Sequence, residues 1–192
     1  VFFSTLGAST RSRARLMRAK AVAERAVVES SLAHTVFAPS IVYSPSDPYL
    51  SLLHRLSLLP LMPIPGPGRA SFQPIWAEDV ADCVMATLPG GAAADAADGA
   101  RFELAGPETL THRQIAKIAL SSSRRHRPIV GVPLPFVRRS LRLVELLMGP
   151  AAFATWDEAQ LMEIPMMSRY GSADAERLGV VPKPMRAVLG VG

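Results

Sequence analysis

A single cysteine, Cys83, serves the whole of this 192-residue chain. An internal disulfide is therefore excluded, and the usage fits a reducing compartment such as the cytoplasm. Lysine is nearly as rare: only Lys20, Lys117 and Lys183 stand among 21 basic residues, and the surplus of Arg, Ala and Pro matches a GC-rich coding bias. Aromatic residues make up 6%. No aromatic RNA-binding signature, zinc spacing or readable recognition helix accompanies the net charge of +5, so nucleic acid is not the expected partner. No charge-free apolar run reaches the roughly 18–20 residues that span a bilayer. The most apolar tract, 56–65, is interrupted by Pro60, Pro63 and Pro65. The N-terminus has no basic stretch ahead of an apolar one, as a signal peptide requires. His34, His54, His112 and His126 lie too far apart in sequence to pair as metal ligands at helical spacing, so no metal site is expected.

Apolar residues make up 49% of the chain and charged ones 19%, the balance of a globular protein with a sizeable core. The first residues, Val1–Thr5, read as a strand buried on both faces, as in a parallel sheet. A chain that enters such a strand without a Met is expected to be the C-terminal part of a longer protein, or one with a mis-assigned start. A helix is predicted over about 12–31, with an apolar stripe Ala19, Val22, Ala23, Ala26, Val27 and an i, i+4 pair Lys20–Glu24 on its flank. A second strand over 35–38, stopped by Pro39, completes a βαβ crossover.

Further on, Asp47-Pro48 starts a helix to about Leu59, and 63–68 reads as a Pro/Gly loop. A strand over 72–76 leads to a helix capped by Glu78-Asp79, with Cys83 as a small core residue; 101–105 is another strand, and Thr111 caps the next helix. The tail is read as an amphipathic helix, 134–148, then short helices over about 155–162 and 173–178.

In an open α/β sheet, ligands bind in the crevice beyond the C-terminal ends of the strands. Ser4 and Thr5 fall at such an end, and Lys20 projects from the following helix. A lysine there can hydrogen-bond a ribose and, as a nearby positive charge, lower the pKa of a neighbouring phenol. From spacing alone, a solvated Lys20 paired with Glu24 is the competing reading.

Four motifs occur in one order: Ser4-Thr5-Leu6-Gly7-Ala8, then Arg18-Ala19-Lys20-Ala21-Val22-Ala23-Glu24, then Ala38-Pro39-Ser40-Ile41-Val42-Tyr43, then Ile75-Trp76-Ala77-Glu78-Asp79-Val80-Ala81. This order resembles the second half of an extended or atypical short-chain dehydrogenase/reductase. Thr155-Trp156-Asp157-Glu158-Ala159-Gln160-Leu161 and Leu178-Gly179-Val180 are similar to the branch that includes the nucleotide-binding accessory subunit of respiratory complex I and NmrA-like proteins. The resemblance implies an α/β fold: a Rossmann-like parallel sheet with a small, mostly helical distal subdomain. Residues 1–100 would form the C-terminal part of the NAD(P)-binding domain, with 47–70 contributing to the distal subdomain, and 101–192 would be that distal, substrate-side part. It implies further that Lys20 contacts the nicotinamide ribose, that Ser4 or Thr5 is the active-site hydroxyl, and that Pro39, Ser40 and Ile41 line the nicotinamide pocket of NAD or NADP.

Two departures qualify these roles. Leu16 stands where the family has its catalytic tyrosine, four residues before Lys20. The Gly-rich phosphate loop is missing too; Gly66-Pro67-Gly68 lacks a helix start after it. The leading expectation is therefore a non-catalytic or weakly catalytic cofactor-holding, regulatory or assembly protein. A sugar-nucleotide epimerase or reductase acting on a small-molecule substrate is the first alternative. A peripheral membrane or protein-partner module using 134–148, through Arg138, Arg139 and Arg142, is the second. Arg124-Arg125-His126-Arg127 reads as a solvated loop.

Overall fold

The computed structural model describes residues 1–45, 47–137, 139 and 160–191. The helix expected over 134–148 and the one over about 155–162 therefore lie largely outside the described residues.

Three parallel strands, β1 (Phe2–Phe3), β2 (Val36–Pro39) and β7 (Arg101–Leu104), form the main sheet in the order β1-β2-β7. Phe2, Val36 and Arg101 share one register row, and Phe3, Phe37 and Phe102 the next. Successive side chains on a strand point to opposite faces. The three phenylalanines accordingly stack in series on one face, with centroids 5.9 and 5.7 Å apart. That face is covered by helix α3 (Ala77–Thr87), which contributes Val80 and Cys83.

Helix α1 (Arg15–Val28) connects β1 to β2 as the crossover. Its apolar stripe is where the expectation fails. Met17 is its one buried residue, while Ala19, Val22 and Ala26 are exposed and Lys20 and Glu24 are half-buried. Glu24 turns toward the sheet because Ser4 and Arg101 offer it hydrogen bonds there. That rotates the apolar stripe outward. β1 is likewise not buried on both faces, since it is an edge strand with Val1 and Phe3 exposed.

The two edges of this sheet differ. On β7, the Glu103 amide donates to Asp174 Oδ2 at 2.8 Å, from helix α5 (Ala173–Arg177) packed alongside. On β1, the amides of Phe2, Ser4 and Leu6 donate to Thr35, Phe37 and Pro39. A parallel ladder alternates its sides, so the amides of Phe3 and Thr5 point to the open edge.

A second unit joins α2 (Pro48–Leu56), β4 (Met62–Pro65), α4 (His112–Ser122) and β9 (Ile129–Val132) around Leu50, Leu53, Met62, Ile64, Ile115 and Ile118. Asp47 caps α2 by accepting from the Leu50 amide at 2.8 Å. Thr111 forms a capping box with Gln114 on α4. Of the Pro/Gly stretch expected to be a loop, 63–65 belong to β4, paired parallel with β9, while 66–68 form the turn after it. The prolines permit this because the Met62 and Gly66 amides donate to β9, at Pro128 and Val132. Pro63 and Pro65 alternate with them and face the outer edge, where no N–H is needed.

The strand expected over 72–76 is two short ones split at Gln73-Pro74. β5 (Ser71–Phe72) pairs antiparallel with β8 (Leu110–Thr111), and β6 (Ile75–Trp76) pairs parallel with β3 (Val42–Tyr43). Beyond residue 100, β7 is a strand of the main sheet, and Ala175 and Leu178 pack in the same cluster as Phe37.

Candidate functional site

The C-terminal ends of β1 and β2 bring together Ser4, Thr5, Pro39 and Ser40. Ser4 is buried; its amide bonds the Phe37 carbonyl and its hydroxyl donates to Glu24 Oε2. Glu24 also accepts from Arg101 Nε at 2.7 Å, and Arg101 Nη1 reaches Glu103 at 2.9 Å. Partial burial opposes the Arg101 charge, but the hydrogen bonds it donates to Glu24 and Glu103 outweigh this and raise its pKa. The expected Lys20–Glu24 pair is thus replaced by a Ser4–Glu24–Arg101–Glu103 chain. Nothing short-range signals it, because Arg101 lies 77 residues beyond Glu24.

Lys20 is placed on β1 itself. Its Nζ donates to the Phe3 carbonyl at 2.7 Å and sits 5.7 Å from the Phe2 ring centroid. The ammonium so caps one acceptor of the open edge. One turn earlier, Leu16 is 45% exposed.

Thr5 Oγ1 donates to the Pro39 carbonyl at 3.3 Å. Ser40 is buried and fully engaged: its hydroxyl donates to the Met166 carbonyl at 2.7 Å and accepts from the Gln73 amide at 3.1 Å. Ile41 is half-buried and its carbonyl accepts from the Ile75 amide. Met166 emerges here as a residue that sequence reasoning missed. Its amide donates to Ser71, its carbonyl accepts from the Gln73 amide and its Sδ lies 3.9 Å from Thr5 Oγ1. The segment around it crosses the strand ends and closes over Thr5 and Ser40. Gly7 follows Thr5 with φ +79°, a left-handed turn that glycine adopts at low cost and that runs close beneath the Pro165 carbonyl.

Two further groups border this region. Tyr43 is buried and its hydroxyl has no partner among the described residues; burial first, then Asp79 and Glu108, push its pKa upward, so the phenol stays neutral. Asp79 is not the helix cap it was expected to be. The N-cap of α3 is Trp76, and the Asp79 carboxylate, 3% exposed, accepts from the Lys183 amide at 2.8 Å.

A parallel sheet with helices packed against it is a Rossmann-like α/β arrangement. Comparison with solved structures agrees. An NADPH-dependent quinone oxidoreductase from Escherichia coli superposes with a TM-score of 0.69 at 16% identity, covering 98% of this chain and 66% of that one. A nucleoside-diphosphate-sugar epimerase from Staphylococcus aureus gives 0.67 at 18%, over 98% and 63%. The Thermus thermophilus UDP-glucose 4-epimerase, solved with NAD, gives 0.62 at 14%, over 99% and 62%.

In sequence, the chain is 32% identical over 139 residues to the mitochondrial NADH dehydrogenase [ubiquinone] 1 alpha subcomplex subunit 9 of Arabidopsis thaliana. That match takes in 70% of this chain and 33% of the relative, so the chain spans about a third of the curated protein it resembles. No family model matches it. The chain thus shares the fold of NADPH-dependent reductases and sugar-nucleotide epimerases and is similar in sequence to the NADH dehydrogenase subunit.

Proposed function

We propose that this chain is the C-terminal part of a protein that holds NAD(P)H without tyrosine-dependent hydride chemistry and serves as a structural, regulatory or assembly factor. The observation that carries this reading is the exposed Leu16 one turn before Lys20, where a proton-donating phenol is required. Two features support it. Ser4 spends its hydroxyl proton on Glu24, and Lys20 spends a donor on the Phe3 carbonyl, so neither is poised for proton transfer. The relative in Arabidopsis is named as a subunit of NADH dehydrogenase, a role compatible with assembly. In this reading Lys20 faces the ribose once it leaves the Phe3 carbonyl, with Pro39, Ser40 and Ile41 bordering the nicotinamide.

The test is a fluorescence titration of NADPH and NADH into this chain and into a form extended upstream across any Gly-rich loop. Binding by the extended form with no turnover of quinone or sugar-nucleotide substrates is the expected result. Binding by neither form removes the cofactor from the reading. The enzyme alternative, an epimerase or reductase with another proton donor, predicts turnover that Lys20→Ala abolishes. It predicts further that Leu16→Tyr raises reductase activity.

A further inference from the structure

The basic charge of this chain is concentrated. Over 48–70 and 111–137 the sequence has seven Lys and Arg and no Asp or Glu, leaving 14 basic against 16 acidic residues elsewhere. These segments are the α2–β4 and α4–β9 arms of the second unit. Their shared end is built from two turns. Ser57–Leu61 leads from the C-terminus of α2 into β4, and Ser123–Pro128 leads from the C-terminus of α4 into β9. The Met62 amide donates to the Pro128 carbonyl and Arg125 Nη1 donates to Ser57 Oγ, both fixing the turns side by side.

This end exposes aliphatic side chains together with the arginines. Leu58 is 64% exposed, Leu59 45% and Leu61 51%, and Val130 on β9 is exposed as well. Arg55, Arg124 and Arg127 are exposed around them, and none of the ion pairs among the described residues uses these arginines or Arg125. The carboxylate of Glu163 lies beside Gly66, at the opposite end of β4. Basic residues at helix C-termini complement the backbone dipole, which accounts for part of the charge. It does not account for three exposed leucines in one turn. A nucleic-acid surface has no use for them, whereas apolar side chains ringed by arginines match the boundary between acyl chains and anionic headgroups.

We infer that this end of the molecule docks on an anionic phospholipid bilayer. Leu58, Leu59 and Leu61 enter the interface, and Arg55, Arg124 and Arg127 meet the phosphates. The inference is independent of whether the chain holds a dinucleotide. It also assigns the arginine loop a ligand in place of a purely solvated role.

The experiment is co-sedimentation of the full chain with vesicles of phosphatidylcholine alone and of phosphatidylcholine containing phosphatidylserine, at low and high salt. Binding is expected to require the anionic lipid and to fall with salt. Arg124→Gln with Arg127→Gln is expected to weaken partitioning by about 25-fold, from roughly fivefold per arginine near such a surface. The triple change of Leu58, Leu59 and Leu61 to Ser is expected to lose binding while the circular dichroism melt is kept. A Leu58→Trp variant gives a readout that does not rely on loss: on anionic vesicles its emission gains a blue shift and is quenched by brominated acyl chains, beyond the signal of the parent chain. Equal binding to neutral and anionic vesicles overturns the inference, as does an unquenched Trp at position 58. In the latter case the patch passes to an acidic protein partner.

Discussion

Replacing Asp79 with Ala tests how the C-terminal segment is held. The Asp79 carboxylate is almost fully buried, at the first turn of α3, and accepts from the Lys183 amide at 2.8 Å. Two residues on, the Met185 amide donates to Glu108 Oε2 at 2.8 Å, and the Lys183 ammonium sits 4.1 Å from the Trp76 ring centroid. A hydrogen bond to a charged group contributes about 1.5–3 kcal/mol. A carboxylate at a helix N-terminus adds about 0.3–1 kcal/mol. Asp79→Ala should therefore cost about 2–4 kcal/mol, which for a chain of this size lowers Tm by roughly 4–16 °C. Asp79→Asn keeps an acceptor and should fall between the two. Thermal melts followed by circular dichroism give the number, and limited proteolysis should release the tail beyond Val180 sooner in the variant. Because Asp79 and Glu108 hold one segment, the double variant should cost less than the sum of the singles. An Asp79→Ala melt within 1 °C of the parent would refute the reasoning.

His112 is buried, with Nδ1 unpartnered among the described residues, and burial lowers its pKa to about 4. The unfolded chain protonates near pH 6.5 while the fold does not. Stability therefore falls as pH drops from about 6.5 to 4, by roughly 3 kcal/mol, and urea titrations of His112→Phe should show a shallower decline. Cys83 is fully buried, and burial, with Asp79 and Asp82, pushes its thiol up to about 12. A thiol reagent at pH 8 should label it only as fast as the chain opens, and immediate labelling of the native protein would contradict this packing. Ser40→Ala leaves the half-buried Gln73 amide without its side-chain partner and the Met166 carbonyl without the buried Ser40 hydroxyl, at a cost of about 1–3 kcal/mol; chemical denaturation measures it.

The sequence speaks clearly where structure is local. The β1–α1–β2 crossover needs only alternation of period, and the capping box at Thr111 and Gln114 needs three residues of spacing. Asp47 capping α2 is of the same kind. What distance in sequence conceals is which partner a side chain finds. The stripe of α1 identified its apolar face correctly but not its orientation, because Arg101 and Ser4 draw Glu24 inward. Asp79 looked like a helix cap until Lys183, 104 residues away, supplied its true donor. Prolines 63 and 65 argued against a strand, yet they fall on the one side of β4 that tolerates them. Within the candidate site, Ser4, Thr5, Pro39 and Ser40 were placed at strand ends by pattern alone. Met166 was illegible because its partners, Thr5, Ser40, Ser71 and Gln73, lie far away in sequence and bond mainly to its backbone.

The unlike edges of the main sheet have a consequence for the behaviour of this chain in solution. Asp174 and α5 leave the β7 side no easy way to recruit another strand, whereas β1 keeps two amides outward and guards only one carbonyl, with Lys20. Among the described residues of these 192, strand pairing between molecules thus has one open side. Growth of that kind cannot propagate into a fibre; it ends when two open edges have satisfied each other. Concentrated protein should therefore collect as discrete pairs, and a peptide strand that saturates β1 should return it to single molecules.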